Sequence, residues 1–229
     1  MAFHYSPNIA SDDSLMIYLD VQNSKSYPGS GTTWSDLSRK NMNATLLGTT
    51  LPSYTEEGLL FINKSFLFNG AVVGASSYAS IPNVNIGDYG TVNIWFKQNS
   101  IVTNKGLIGL GPNTFFYIGG TGQDTQLTMY NNTGTGGYTP GILIKNTSWN
   151  FASFTWDPSG VTIYLNGVAY VINTPFVFEK SGTMIIGGYP TLNTNNFLNG
   201  NISNIQIYNR KLSSSEIFVN YNAHKSRYI

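Results

Sequence analysis

The chain has 229 residues, 12 Lys and Arg against 11 Asp and Glu, a net charge of +1 and no cysteine. The even balance, without any basic run, argues against nucleic acid and against an anionic membrane surface as partners, and the missing thiols argue against a disulfide framework or a thiolate metal site. Charged residues are 10% of the chain and aromatics 14%, with 24 glycines, a composition of strands and turns rather than helices.

Residues 1–13 are polar, carry Pro7, and are expected to form an N-terminal arm leading into a domain over 14–229. His4, Tyr5, Pro7, Asn8 and Ile9 are its candidate attachment residues. These first residues lack a basic segment followed by an apolar one, so no signal peptide is read and synthesis in a cytoplasm is expected. A strand is expected at 15–19 (LMIYL), a loop at 23–31 and a turn beginning at Trp34. Further strands are expected at 59–62 and 65–68, then an Asn69-Gly70 turn and a strand at 78–81. Residues 91–97 (TVNIWFK) alternate, with Val92, Ile94 and Phe96 on one face and Asn93, Trp95 and Lys97 on the other. Short strands are predicted at 107–110, 115–118 and 126–130, then a Gly/Thr/Asn loop over 131–141. A strand at 149–156 ends in DPSG, and 161–165 and 168–172 form a hairpin about Asn166-Gly167. Residues 184–186 end in two glycines, and 200–208 alternate as a last strand.

The pattern then changes. Ser213 and Glu216 have the spacing of a capping box, and Leu212 and Ile217 that of a hydrophobic staple. A short helix is predicted with Ile217, Phe218 and Tyr221 on one face. Alone it would be unstable, so it must cover something apolar, an edge or end of the sheets. Strands at this spacing predict an all-β fold, a two-sheet antiparallel sandwich with a short C-terminal helix. Trp95, Trp149 and Trp156 fall within strand patterns and are read as packing residues.

Two loop patches could hold a sugar through amide hydrogen bonds and ring stacking. Tyr130, Asn131, Asn132 and Tyr138 form one, and Tyr189, Asn193, Asn195 and Asn196 the other. The five Asn-x-Ser/Thr sequons, at Asn43, Asn63, Asn131, Asn146 and Asn201, are read as a by-product of an Asn-rich composition.

Several of these stretches, in this order, resemble the concanavalin A-like, laminin-G-type jelly roll, a binding or adhesive module. They are FLFNG (66–70) with YASIP (78–82), TVNIWFK (91–97), WNFASF (149–154), VTIYLNGV (161–168), IIGG (185–188) and the closing segment from Phe197 to Ile217. The resemblance covers about residues 15–222. The opening, PNI (7–9) and 15–38 with its TWSDLS end, resembles jelly-roll structural proteins of marine and cyanobacterial tailed phages. That implies a virion component, a capsid decoration, head fibre or tail fibre, assembled in the host cytoplasm. It implies capsid or tail proteins as partners, a host glycan as a further one, and a homo-oligomer with a trimer favoured.

In the same superfamily acidic residues near loop ends bind calcium. Asn69 and Ser203 stand where Asp is common, so no metal and no other cofactor is expected. Arg39, Lys40 and Asn41 replace the expected Gly/Asn-rich turn. The fold also hosts glucanases, which set carboxylates on one strand as E-x-D-x-E, because alternation aims i, i+2 and i+4 at one face. No such motif occurs. The adjacent pairs Asp12-Asp13 and Glu56-Glu57 are read as solvated loop charges, and His4 and His224 as lying in terminal arms. No G-x-S-x-G, H-E-x-x-H or phosphate-loop motif is present. The chain is expected not to be an enzyme.

Overall fold

Alternation on the long strands leaves an apolar stripe on each of two sheets, and the stripes bury one another. The structure, a computed structural model, describes residues 8–58, 63–70, 76–99, 105–119, 126–131, 136–138, 141–145, 147–172, 179–189 and 196–228, with backbone alone at 131, 136–138 and 172. The expected strand at 59–62 lies outside the described residues, as do His4, Tyr5, Pro7, Asn132, Asn193 and Asn195.

Sheet A runs in the order β14 (Val168–Ile172), β13 (Gly160–Leu165), β12 (Trp149–Asp157), β7 (Gly90–Gln98), β16 (Asn199–Tyr208), β5 (Asn63–Asn69) and β4 (Ser53–Glu57), with β1 (Leu15–Asp20) also on β16. Sheet B runs β11 (Gly136–Tyr138), β10 (Leu127–Asn131), β9 (Thr114–Ile118), β8 (Lys105–Leu110), β15 (Ser181–Ile186), β6 (Ser77–Asn85), β3 (Ala44–Gly48) and β2 (Thr33–Trp34). Every strand pairing is antiparallel, so the expected two-sheet sandwich is present. The core between the sheets includes Val92, Ile94 and Phe96 from β7, Ile205 and Ile207 from β16, and Phe116 and Met129 from sheet B. At the β13–β14 turn, Asn166 and Gly167 both have positive φ (51° and 85°), as a two-residue hairpin turn requires.

Several expectations change. Trp34 ends strand β2 and is fully buried rather than beginning a turn. The loop expected over 131–141 contains β11, paired to β10. Glu56 and Glu57 lie on β4, not in a loop, and reach Lys64 at 3.3 Å and Lys97 at 2.6 Å. Arg39 and Asn41 keep left-handed backbone (φ 73° and 58°) although neither is Gly. Asp36 holds that loop: its carboxylate accepts from the backbone of Tyr18 at 2.9 Å, Ser38 at 2.9 Å and Met42 at 3.1 Å.

The helix α1 (Ser214–Lys225) carries the predicted capping box. Ser213 Oγ accepts from Glu216 N at 3.4 Å, and Glu216 Oε2 accepts from Ser213 N at 2.8 Å. The helix does not cover an edge. It lies on the outer face of sheet A, over Trp95, Phe151, Tyr164 and Tyr208. Ile217, Asn220, Tyr221 and His224 face inward at i, i+3, i+4 and i+7. Phe218, one step (about 100°) round from Ile217, is 53% exposed and not on the buried face. Trp95 stacks on Tyr221 at 5.7 Å and on Tyr228, beyond the helix, at 4.4 Å.

A buried polar network holds this C-terminal segment down. Arg227 donates to both oxygens of Asp20, at 3.0 and 2.9 Å. Tyr18 Oη donates to Asp20 Oδ2 at 3.2 Å, and its oxygen lies 3.2 Å from His224 Nε2, where Asn204 Nδ2 also approaches. Tyr228 Oη donates to Ser203 Oγ at 2.7 Å. Ser203 is the extra residue of a bulge on β16: Ile202 stands opposite Phe96 and Asn204 opposite Trp95. His224 is therefore fully buried and not part of a terminal arm. Burial, with Arg227 nearby, pushes its pKa down to about 4, so the ring is neutral.

The end of the expected arm is also tied to this face. Ala10 N donates to Asn220 Oδ1 at 2.7 Å, Tyr208 Oη donates to Ala10 O at 2.8 Å, and Ile9 packs on the same apolar cluster. Asn8 is exposed. Arg210 joins Asp12, at 2.8 Å, to Glu216 of the capping box, at 3.0 Å.

Candidate functional site

Strand β9 reads TFFYI. Phe116 and Ile118 join the core, which turns Phe115 and Tyr117 to the outer face of sheet B. On β10, Leu127 and Met129 join the core, which turns Thr128 and Tyr130 outward. Register sets Tyr130 beside Phe115 and Thr128 beside Tyr117.

On the other flank, a bulge at Leu107 changes the register of β8. It pairs Gly106 with Tyr117 and Gly109 with Phe115, so two glycines line the aromatic row. The missing side chains make room for Tyr189, which follows the turn after β15. A Cβ on Gly106 would lie 2.7 Å from Tyr189 Cδ1 and 2.5 Å from the Gly188 carbonyl, so only Gly permits this approach. Tyr189 stacks on Phe115 at 4.7 Å with rings 8° apart, and Phe115 stacks on Tyr130 at 5.7 Å with rings 10° apart. Tyr117 meets Tyr189 edge-on at 5.7 Å and Tyr130 edge-on at 6.4 Å.

Phe115 thus joins Tyr130 of one sequence patch to Tyr189 of the other. Phe115 and Tyr117 are buried, while Tyr130 and Tyr189 at the ends of the row are half-buried. Tyr130 stands opposite Gly137 of β11, so the next strand brings no side chain at that register position. Tyr138 pairs with Met129 and Asn131 with Gly136. Asn196 supports the row through its carbonyl, which accepts from Gly106 N at 3.0 Å. Burial first, and then the phenols of Tyr117 and Tyr130, raises the pKa of Tyr189, and burial raises that of Tyr117 against the opposing hydrogen bond with Thr128, so both hydroxyls stay protonated. Phe115 and Tyr117 were not singled out from sequence. The signal available was the i, i+2 pair of aromatics flanking a core Phe.

A cleft of about 590 Å³ lies on the other side of the molecule, lined by Ile9, Asp12, Asp13, Tyr18, Leu37 and Arg39 among others. Of its carboxylates, Asp12 is poorly suited to act as an acid. Asp12 is held ionised, its pKa lowered first by Ser14 and also by Arg210. On β4, Glu56 is likewise lowered, first by Tyr54 and then by Lys64, and Glu57 is ion-paired to Lys97. A glycosidase acid needs the opposite, a carboxyl kept protonated. Ser203, where calcium-binding members of the superfamily carry Asp, spends its hydroxyl on the Lys64 carbonyl at 2.5 Å and on Tyr228. Among the described residues no three His, Asp or Glu side chains come together.

The profile of the family described as the concanavalin A-like lectin/glucanases superfamily matches residues 73–218. Comparison with curated proteins gave no match. Among solved structures, the chain is similar to domain 4 of AbnA, a GH43 extracellular arabinanase from Geobacillus stearothermophilus in complex with arabinotriose. The TM-score is 0.68 at 18% identity, over 90% of this chain and 97% of that one. It is also similar to Trypanosoma rangeli sialidase in complex with sialic acid, at TM-score 0.66 and 14% identity, over 94% of this chain but 34% of the sialidase.

Proposed function

The chain belongs to the concanavalin A-like lectin/glucanases superfamily, and on that premise we propose that it is a glycan-binding module rather than a hydrolase. The carrying observation is the Tyr189–Phe115–Tyr130 row on the outer face of sheet B, flanked by Gly106, Gly109 and Gly137. Apolar C–H faces of a sugar pack on exposed ring surface, and protonated phenols donate to sugar hydroxyls. Two further observations support the reading. The chain matches nearly the whole of an arabinanase domain solved with arabinotriose, but only a third of the sialidase. Asp12, Glu56 and Glu57 are held ionised or ion-paired rather than as acids. Binding on this reading needs no metal, so a chelator leaves it unchanged.

The test is a glycan array followed by calorimetric titration of the best hit. Tyr130→Ala and Tyr189→Ala are expected to weaken binding about tenfold each, roughly 1.4 kcal/mol. An array without hits, or both variants binding as tightly as the parent, overturns the proposal.

The resemblance of the opening to tailed-phage structural proteins supports a place on a virion, with capsid or tail proteins as partners and a host glycan as ligand. Antibody labelling of purified particles tests this location. Because Ile9 and Ala10 are packed against the helix side of sheet A, an attachment role for Asn8 and Ile9 couples particle binding to that face. Removing residues 1–7 alone separates attachment from folding.

A further inference from the structure

A sheet edge offers unpaired backbone donors and acceptors, and proteins usually blunt it. The described edges are treated unequally. Strand β2 has two residues and β11 three. Strand β4 carries Glu56 and Glu57. The free side of β1 is covered by the loop after β2: Tyr18 O accepts from Leu37 N at 2.8 Å, and Met16 O accepts from Ser38 Oγ at 2.8 Å. Among the described residues, strand β14 has none of these devices. It reads VAYVI, without charge or proline, and among the described residues no strand pairs to its outer side. Val168 is 57% exposed, Tyr170 37% and Val171 64%.

We infer that β14 is an interface between two copies of this chain, pairing antiparallel with itself about a two-fold axis and joining the two A sheets into one. The occupant follows from charge and symmetry. An uncharged strand meets its own copy without repulsion, and a strand paired with itself closes as a dimer. Pairing β14 with another blunted edge would instead run head to tail. The neighbouring surface fits the same axis. Phe218 lies over the hairpin turn, 3.2 Å from where a Cβ of Gly167 would sit. Antiparallel pairing brings that turn end to the Ile172 end of the other copy, on the face that carries Val171. Covering Val168, Tyr170, Val171 and Phe218 on both copies removes on the order of 800 Å² from side chains alone, short of the roughly 1,000 Å² that a stable pair needs, so a weak, concentration-dependent dimer is expected. This interface gives a dimer, where the phage resemblance favoured a trimer.

The full chain should be measured by light scattering coupled to size exclusion, from low-micromolar to near-millimolar concentration. The expected result is a rise to twice the chain mass, abolished by Val171→Lys, which sets like charges across the axis, and weakened several-fold by Phe218→Ala, with unchanged far-ultraviolet circular dichroism. The natural chain has no cysteine, so single cysteines placed along 168–171 give an independent readout. Oxidation should produce a covalent dimer most strongly at one central position, where facing Cα atoms come within disulfide range. A parent that stays monomeric, a defined trimer, open-ended aggregates, or a dimer that survives Val171→Lys and forms no cross-link overturns the inference.

Discussion

The two outer faces of the sandwich are built from similar material and finished differently. Both carry aromatic rows. On sheet A, Trp95, Phe151, Tyr164 and Tyr208 are roofed by the C-terminal helix and by Tyr228. Their polar neighbours are bonded to one another, through Asp20–Arg227, Tyr18, His224 and Asn204. On sheet B, Phe115, Tyr117, Tyr130 and Tyr189 stack on one another, and the row ends in half-buried rings beside glycines. The face that the chain covers with itself therefore carries stability, and on the proposed reading the half-buried rings of the other face are where a ligand would pack. Substitutions on A should unfold the protein, whereas substitutions on B should cost binding.

The largest effect is expected from Trp95→Ala, which removes the ring under both Tyr221 and Tyr228. A loss of about 4 kcal/mol should appear as a lower urea midpoint. Asp20→Asn leaves the Arg227 charge without its carboxylate and should cost about 3 kcal/mol in the same assay. Acid should act through His224, which faces Tyr18 and Asp20 on β1, Asn204 on β16, and Arg227 beyond the helix. In the unfolded chain it takes up a proton near pH 6.5, but in the fold only near about 4. Its contribution is complete above pH 6.5 and is lost as pH falls from there to about 4, on the order of 3 kcal/mol. His224→Gln should flatten that part of the stability–pH curve; an unchanged slope would assign it to other groups. Ser213→Ala, which removes the helix cap, should cost about 1 kcal/mol. The smallest stability change, under about 1 kcal/mol, belongs to Tyr130→Ala at the half-buried end of the sheet B row. A large destabilisation there would erase the distinction between the faces.

Local rules made much of this legible. Alternation in TVNIWFK assigned both faces of β7, Asn166-Gly167 gave the hairpin, and the Ser213/Glu216 spacing gave the capped helix. Each depends on residues within a few positions of one another. Strands β2, β3, β4 and β11 were missed. Strand β4, SYTEE, is half polar because it is an edge, and β11 contains two glycines, so neither shows a strand's usual pattern. Residues 8–13 read as polar and free, yet Ala10 is bonded to Asn220, 210 positions away.

The candidate site was half legible. Tyr130 and Tyr189 stood out as loop aromatics, but nothing local showed that both stack on Phe115. That depends on the register of β10 on β9 and on a bulge that sets Gly106 under Tyr189. Likewise the sequence alone determined that a helix forms after residue 213, because its cap and staple are local contacts. Only the tertiary structure decided which surface it covers. The bulge at Ser203 sets Asn204 opposite Trp95, and the burial of His224 and Asp20 depends on partners brought together from opposite ends of the chain.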